Sequence, residues 1–236
     1  MFDLNNKFPE YYKFKGRRIA KKISNSNLKL IQNKYDKYSI DCEAINSLSY
    51  NKKFHLTLKQ DYKKIIIEVG FGSGDYLFDQ VRENNNHFYI GSEVYINGLA
   101  KALKFISNND ISNLRICGLN FTYLLKVLEK KTIDLIYFIN PDPWEKKRHN
   151  KRRILNLRNI LLMKEKLKSS GKIIVTTDSK DYTDSLKFLA KNNPDLINTT
   201  NFTCMNEGDP IYGVSKYQRR AISNNKKIYK IEIISI

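Results

Sequence analysis

From residue 65 onward, short apolar runs rich in β-branched residues alternate with longer amphipathic segments. Five of these runs predict strands, at 65–69, 88–91, 113–117, 133–139 and 172–177. The segments between and after them predict helices, at about 75–84, 95–106, 122–130, 151–168 and 181–191. Parallel strands need a long crossover, usually a helix, so this alternation is typical of an α/β fold with a parallel sheet.

Two further segments flank this alternation. Residues 213–221 and 226–236, separated by Ser-Asn-Asn, predict a closing antiparallel hairpin. Residues 1–40 carry ten Lys or Arg against three acidic residues, with a short helix predicted over 28–38. We therefore predict a basic N-terminal extension over 1–55 and an α/β domain over 56–236. Aromatic residues interleaved with the N-terminal lysines either stack on a nucleic acid or pack on the domain.

The charge of the chain favours a polyanionic partner. Its 42 Lys and Arg against 24 Asp and Glu give a formal net charge of +18. Such an excess is typical of proteins that bind nucleic acid. No apolar run approaches the roughly 18 residues of a membrane span. The first residues also lack the basic and apolar regions of a signal peptide, so we expect a cytoplasmic protein without a membrane partner.

Cysteine and histidine residues are few and scattered. Cys42, Cys117 and Cys204 lie far apart and are odd in number, and the three histidines are equally dispersed. This spacing fits neither a metal site nor a disulfide framework. We therefore predict no metal and buried free thiols.

A glycine-rich turn follows the first predicted strand. Gly70, Gly72 and Gly74 stand at alternate positions, where backbone without a Cβ can approach a ligand closely. The dinucleotide fingerprint would need a further glycine at 75 or 77, and Asp75 and Leu77 stand there. The turn instead resembles the cofactor loop of class I S-adenosylmethionine methyltransferases.

Polar residues lie in or just after three of the predicted strands, toward the edge at which α/β sheets bind ligands. Glu68 precedes the glycines and suits the cationic aminoacyl end of such a cofactor. Glu93 can accept hydrogen bonds from both ribose hydroxyls, and Asn120 has a donor and an acceptor for an adenine edge. The alternative interpretation is a plain glycine turn with nearby surface acids.

The segment 140–153 sets one carboxylate, Asp142, beside a dense run of positive charge. Two prolines flank Asp142 and hold it on a stiff, extended turn. Six Lys or Arg follow, against Glu145 alone. Cations at the start of the helix predicted near Lys151 would oppose its dipole, so helix stability does not explain them. Polyanion binding does, and a solvated basic loop is the alternative.

Together these residues resemble the bacterial tRNA (guanine-N7-)-methyltransferase family, from about Phe14 to the C-terminus. The strongest marker is Pro-Asp-Pro-Trp-Glu-Lys-Lys-Arg-His-Asn-Lys-Arg-Arg at 141–153. Supporting markers are Glu-Val-Gly-Phe-Gly-Ser-Gly at 68–74, Glu93, Thr177-Asp178 with Tyr182, Ser-Lys-Tyr-Gln-Arg at 215–219 and Lys-Gly-Arg-Arg at 15–18. The resemblance implies a Rossmann-like, doubly wound, mostly parallel seven-stranded sheet. It also implies methyl transfer from S-adenosylmethionine to N7 of guanine at position 46, in the variable loop of tRNA.

The resemblance also implies residue roles. Asp142 is the expected catalytic residue and lines the methyl-donor pocket with Glu68, Gly70, Gly72, Glu93 and Asn120. The expected substrate-binding residues are Lys146, Asp178, Ser215, Lys216, Tyr217 and Gln218. Because a dense basic run suits a phosphate backbone, we assign to the tRNA backbone Lys147, Arg148, Lys151, Arg152 and Arg153.

This chain departs from the family pattern at four positions. Glu145 replaces a usual Pro, Ser215 and Gln218 replace a Thr and a Glu, and Asn120 stands where many members have Asp. Ser215 keeps the hydroxyl, whereas Gln218 loses a charge.

Two other functions stay open from the sequence. One is an adenine or cytosine amino-methyltransferase, because 140–144 faintly resembles the Asn-Pro-Pro-Tyr element of that class, although Asp142 interrupts it. The other is a noncatalytic RNA-binding module with the same fold. Whether the protein is a monomer or a homodimer is not determined by the sequence.

Overall fold

The computed structural model describes residues 23–40, 62–194 and 197–234 of the chain. The chain divides into two compact units, Met1–Glu129 and Lys130–Ile236, here called the first and second units. Most of the predicted N-terminal arm, at 1–22 and 41–55, lies outside the described residues. Its role in contacting tRNA stays a prediction.

The described residues of the first unit form three parallel strands in the order β3-β2-β1. They are β1 (Lys64–Val69), β2 (His87–Ser92) and β3 (Leu114–Cys117). Its helices are α1 (Asn25–Tyr38), α2 (Asp75–Glu83), α3 (Ile96–Asn108) and α4 (Phe121–Val127). The Ile65–Ile67 run of β1 is buried at every residue, as expected for a parallel strand covered on both faces.

Helix α1 packs against this unit. Ile31 and Tyr35 are buried, and the Tyr35 hydroxyl accepts a hydrogen bond from the Gly118 backbone N–H at 2.8 Å. Just beyond the helix, the Ile40 N–H donates to the Ile116 carbonyl at 2.8 Å. The described part of the predicted extension is therefore a packed element of the first unit.

In the part of the second unit that the structure describes, four strands lie in the order β4-β5-β7-β6. They are β4 (Ile133–Ile139), β5 (Leu167–Thr177), β6 (Asn198–Cys204) and β7 (Tyr229–Ile234). β4 and β5 are parallel, and β7 is antiparallel to both β5 and β6. The helices are a 3₁₀ helix (Lys147–Arg152), α5 (Leu157–Lys166), α6 (Lys180–Lys191) and α7 (Lys216–Ser223). The predicted fold class, a mostly parallel seven-stranded α/β sheet with antiparallel C-terminal strands, is confirmed.

The strand predicted at 213–221 is wrong, because this segment forms helix α7. Ser215 caps the helix by accepting the Gln218 N–H at 3.1 Å, and Gln218 and Ala221 are its buried residues. Two buried residues three positions apart are typical of a helix. Because one of them is a polar glutamine, a pattern of hydrophobic residues does not reveal this spacing. The antiparallel partners of β7 are instead β5 and β6.

The helix predicted to begin near Lys151 is also wrong at its start. The basic residues form a 3₁₀ helix, and α5 begins only at Leu157, capped by the Asn156 side chain. The basic run is therefore not at an α-helix N-terminus, and the expected opposition to a helix dipole does not arise. Between these helices the backbone is extended at Arg153.

No helix among the described residues is long and apolar enough to cross a membrane. In the same part of the chain, no group of three or more His, Cys, Asp or Glu side chains could hold a metal ion. Cys117 is a buried thiol, whereas Cys204 is exposed, so the predicted burial of the thiols is wrong at Cys204.

Candidate functional site

The glycine turn of the first unit leaves open space for a ligand. Gly70, Gly72 and Gly74 all have positive φ, between +55° and +80°, a conformation that favours glycine. A Cβ at Gly74 would meet the Phe78 ring at 2.2 Å. A Cβ at Gly70, by contrast, would have no atom within 4 Å, so the backbone there borders an open cradle.

Glu93, buried at the end of β2, holds this turn in shape. One carboxylate oxygen accepts the Gly72 N–H at 2.7 Å, and the other accepts the Tyr95 N–H at 2.8 Å. The turn also packs on α3, where a Cβ at Gly98 would lie 2.5 Å from the Gly72 carbonyl oxygen. The contact of Glu93 with the ribose hydroxyls of a donor stays a prediction.

Glu68 is a buried acid that lacks a partner for one of its oxygens. Its residue is 4% exposed, and among the described residues its Oε2 has no hydrogen-bond partner. Burial first, and then the nearby Glu93 and Asp75, raise the pKa of Glu68 to about 8. A buried carboxylate without a partner is unfavourable, so a cationic group in the cradle would stabilise it. The residues present thus fit the ammonium of an aminoacyl ligand.

Asn120 begins α4. Its Oδ1 accepts hydrogen bonds from the N–H and the hydroxyl of Thr122, both at 3.1 Å. The acceptor that we predicted for an adenine edge therefore caps the helix. Asn and Asp cap helices equally well, which accounts for either residue at this position.

In the second unit, Asp142 lies on a turn directly after β4. Asn140, the first residue of the turn, has φ +53° and donates its backbone N–H to the Thr176 carbonyl on β5 at 2.9 Å. Asp142 itself is exposed by surface area, yet neighbouring protein atoms desolvate its carboxyl enough to raise its pKa. The turn thus presents an accessible acid at the end of a buried strand.

Five cations of the basic run face solvent. They are Lys146, Lys147, Arg148, Lys151 and Arg152. The Arg152 guanidinium lies 5.0 Å from the centre of the Trp144 ring, and the His149 ring meets that ring edge-on at 5.8 Å. Desolvation, followed by the charges of Arg152 and the other nearby cations, lowers the pKa of His149. The surface is therefore strongly cationic and carries aromatic groups.

Arg153 differs from these five. It is buried, and its Nε donates to the Pro143 carbonyl oxygen at 2.8 Å, within the turn that carries Asp142. We therefore assign Arg153 to the support of the turn and no longer to the tRNA backbone.

The remaining predicted substrate residues also divide into exposed and buried side chains. Asp178 lies 3.6 Å from the Lys226 ammonium, and Tyr217 is 59% exposed beside the exposed Lys216. Gln218 is fully buried and makes two internal contacts. Its Nε2 donates to the Thr176 hydroxyl at 3.0 Å, and its Oε1 accepts the Val214 N–H at 3.1 Å. Gln218 therefore holds the start of α7, and its predicted contact with the substrate stays a prediction.

The structure also brings together residues that the sequence did not connect. The Ser215 hydroxyl donates to Asn140 Oδ1 at 3.3 Å, which joins α7 to the turn before Asp142. The spacing of Ser215 and Gln218 fits a capping box, and this signal could have located the start of α7. No comparable local signal marks Asn140 as its partner.

Comparison with known proteins identifies related sequences and folds. A family model described as "Putative methyltransferase" matches residues 62–231. A "Bifunctional methyltransferase" of Rickettsia conorii is 31% identical over 212 residues, which cover 89% of this chain and 37% of that protein. The chain therefore spans a little over a third of the length of this relative. The tRNA (guanine-N(7)-)-methyltransferase of Buchnera aphidicola subsp. Baizongia pistaciae is 28% identical over 235 residues, covering 93% of this chain and 91% of that one.

A solved structure shares the fold. It is the crystal structure of a 30S ribosomal A1408 methyltransferase from an uncultured bacterium, with a TM-score of 0.57 and 20% identity. The match covers 79% of this chain and 94% of that chain. At this identity the likeness shows the fold alone.

Proposed function

The chain belongs to the putative methyltransferase family, and from this we propose that it transfers a methyl group from S-adenosylmethionine to N7 of guanine 46 in tRNA. The observation that carries the proposal is segment 141–153, in which an accessible acid at a strand end is followed by five exposed cations. The similarity to a tRNA (guanine-N(7)-)-methyltransferase over nearly the full length of both chains supports it. A tRNA substrate is consistent with a cytoplasmic protein.

The glycine cradle of the first unit would hold the methyl donor. Glu68 would pair its unsatisfied oxygen with the ammonium of the donor, and Glu93 would accept the ribose hydroxyls while it holds Gly72 in place. The open space beside Gly70 leaves room for close approach. When bound, S-adenosylmethionine supplies an electrophilic methyl group on a positively charged sulfur.

Guanine N7 carries a free lone pair, so methylation there would need no general base from the protein. Positioning of the base would then dominate catalysis. Methylation at N7 would place positive charge on the purine. The Asp142 carboxylate would stabilise that charge, as fixed charges aimed at a transition state do.

Asp178 would take the second task, which is to orient the base. A carboxylate can accept hydrogen bonds from N1–H and the exocyclic N2–H of guanine, which turns N7 away from it. In this division Asp142 stabilises the developing charge and Asp178 fixes the base. The pairing of Asp178 with Lys226 at 3.6 Å would then change when the base binds.

The exposed cations would bind the tRNA backbone. Lys146, Arg152 and their neighbours carry charge but present no arrangement that selects one base, which is the usual division between phosphate and base contacts. If several of them contact phosphates, the logarithm of the binding constant falls with the logarithm of salt concentration. The expected slope is about 0.7–0.9 per contact.

The direct test is incubation with labelled S-adenosylmethionine and unmodified tRNA, followed by analysis of the nucleosides. We expect N7-methylguanosine. N6-methyladenosine would instead identify an amino-methyltransferase. Absence of product, together with no rise in melting temperature on adding S-adenosylmethionine, would identify a noncatalytic RNA-binding module.

The two acids are tested separately in single-turnover experiments. Asp142→Ala should lower the rate at saturating tRNA and donor because the developing positive charge loses its partner. Asp178→Ala should lower the rate of methylation at guanine 46 because the base is no longer oriented. A parent rate in either variant would contradict the role given to that acid.

A further inference from the structure

The basic segment divides by burial into a surface group and one internal residue. Five cations between 146 and 152 are exposed, whereas the Arg153 side chain is only 4% exposed. Each guanidinium nitrogen of Arg153 has a protein partner: Nε donates to the Pro143 carbonyl at 2.8 Å, Nη1 donates to the Ser185 hydroxyl at 3.0 Å, and Nη2 pairs with Asp181. A guanidinium engaged in this way is not presented to a phosphate.

Tyr182 and Ser185 hold the Arg153 guanidinium in place. Its central carbon lies 4.8 Å from the centre of the Tyr182 ring, so one face is covered by an aromatic side chain. Tyr182 is fully buried, and its hydroxyl accepts the Leu155 N–H at 3.3 Å. Ser185 in turn donates its hydroxyl hydrogen to the Tyr182 carbonyl at 2.7 Å. Stacking combined with a planar set of donors is a geometry that arginine provides and lysine does not.

This network holds one end of the turn that carries Asp142. The Pro143 carbonyl, bound by Arg153, follows Asp142 directly. At the other end, the Asn140 N–H is bound by the Thr176 carbonyl on β5. Proline also fixes φ at 141 and 143. With both ends bound and both flanking φ angles fixed, little freedom remains for the backbone of Asp142.

We propose that Arg153 is a positioning residue, which sets the location of the Asp142 carboxylate by binding the Pro143 carbonyl from inside the protein. The basic run then has two tasks, since its exposed cations bind tRNA and its last arginine supports the acid. The inference rests on the proposed function, because it assigns a role in the same site.

The main test is Arg153→Lys. Lysine keeps the charge but cannot bind Pro143, Ser185 and Asp181 together with the same planar geometry. The rate of methyl transfer in a single turnover, at saturating tRNA and S-adenosylmethionine, should fall about 100-fold, the scale expected for a 1 Å displacement of a catalytic group. The tRNA dissociation constant and its salt dependence should remain those of the parent.

Arg152→Gln is the matched comparison, since it removes a positive charge one residue away from an exposed site. Its salt dependence of tRNA binding should become shallower by about 0.7–0.9 in slope, as expected on losing one phosphate contact. Arg153→Gln should leave that slope unchanged although it loses the same charge. If Arg153 only stabilised the fold, its substitution would not be expected to lower the rate of methyl transfer while the salt dependence of tRNA binding stays unchanged.

Ser185→Ala is a milder variant that removes one partner of Arg153 and keeps the guanidinium. Its single-turnover rate should also fall, but by less than in Arg153→Lys. If a thermal unfolding experiment shows that the arginine variants do not fold, Ser185→Ala is the variant that tests the inference. A parental rate in Arg153→Lys, a parental rate in Ser185→Ala, or a shallower salt slope in Arg153→Gln would each overturn the inference. If the unaltered protein makes no N7-methylguanosine, the proposed function fails and the inference fails with it.

Discussion

The glycine turn of the first unit and the Pro-Asp-Pro turn of the second are both held by a buried charged side chain, but the charges are opposite. Glu93 accepts two backbone N–H groups around Gly72, whereas Arg153 donates to the backbone carbonyl of Pro143. In each case the buried charge binds backbone groups of its own turn. The neighbouring acid, Glu68 in one turn and Asp142 in the other, is thereby left for a bound molecule.

The two acids differ in exposure, and that difference points to different ligands. Glu68 is fully enclosed with its pKa raised to about 8, so it needs a cationic group to become an anion at neutral pH. Asp142 is exposed with its pKa raised by desolvation alone. One turn is therefore suited to hold a cationic donor, and the other to face a base on which charge develops.

The largest expected effect is on the turn of the second unit. Asp142→Asn keeps the shape of the side chain but removes the charge, so the single-turnover rate should fall about 100-fold to 1,000-fold, the range for loss of one preorganised electrostatic group. The melting temperature should hardly change, because the side chain is exposed. Glu145→Gln, an exposed acid on the same segment, is the control and should keep most of the rate. Equal rates in the two variants would contradict the catalytic role of Asp142.

The next effect is on the turn of the first unit. Gly98→Ala places a Cβ 2.5 Å from the Gly72 carbonyl oxygen and 3.1 Å from Glu93 Cγ. Overpacking of about 1–3 kcal/mol should displace the turn and weaken S-adenosylmethionine binding by about tenfold or more, as measured by calorimetry. In a helix, alanine is normally more favourable than glycine by about 1 kcal/mol. The destabilisation expected for Gly98→Ala is therefore opposite to the usual effect of this substitution. Lys101→Ala, exposed on the same helix, should bind the donor as the parent does, and tight binding by Gly98→Ala would refute the packing argument.

A third effect separates Glu68 from Asp142 by pH. The folded protein without donor holds the Glu68 proton up to about pH 8, whereas the unfolded chain loses it near the ordinary value of 4.5. The free energy of unfolding therefore falls as pH rises between these two values. Binding of a cationic donor releases that proton, so donor affinity should rise with pH by up to about tenfold per pH unit below 8.

Calorimetry in buffers of different ionisation enthalpy would count the released proton. Glu68→Gln should abolish both the proton release and the pH dependence of affinity. A pH-dependent affinity that persists in this variant would assign the titration to another group.

The smallest effect concerns a remote support of the second turn. Gln218→Met keeps the length of the side chain but leaves the Val214 N–H and the Thr176 hydroxyl without their partner. Loss of these buried hydrogen bonds should lower the free energy of unfolding by about 1–3 kcal/mol, with the salt dependence of tRNA binding unchanged. Tyr217→Ala is the matched comparison, because Tyr217 is exposed and the substitution should weaken tRNA binding with little change in stability. Weaker tRNA binding in Gln218→Met without a loss of stability would restore Gln218 to the substrate site.

The glycine turn was predictable from sequence because its constraints are local. Three glycines after an apolar strand indicate positive φ, and the structure has positive φ at each of them. Glu93 was predicted as a ligand contact, but its hydrogen bonds to Gly72 and Tyr95 depend on how β2 and α3 meet the turn. The local sequence therefore predicted the glycine turn. The packing of the neighbouring elements determined which polar atoms bind the turn itself.

The basic run shows why the rest was not predictable. Its arginines are equivalent as sequence, and Arg153 is distinguished from Arg152 by its contacts with the Pro143 carbonyl and with Ser185 and Asp181, on a helix that follows β5. The same holds for Gln218, whose burial depends on Thr176 of β5. A polar residue that is satisfied from inside the protein resembles a surface residue until its partner is known.

We propose that the exposed acid and the basic surface serve methyl transfer to one guanine of tRNA. The most direct measurement is single-turnover methylation of two unmodified tRNA transcripts that differ only at position 46, one with guanine and the other with adenine. We expect one methyl group, as N7-methylguanosine, in the guanine transcript and none in the adenine transcript. Equal labelling of the two transcripts, or labelling of neither, would contradict this proposal.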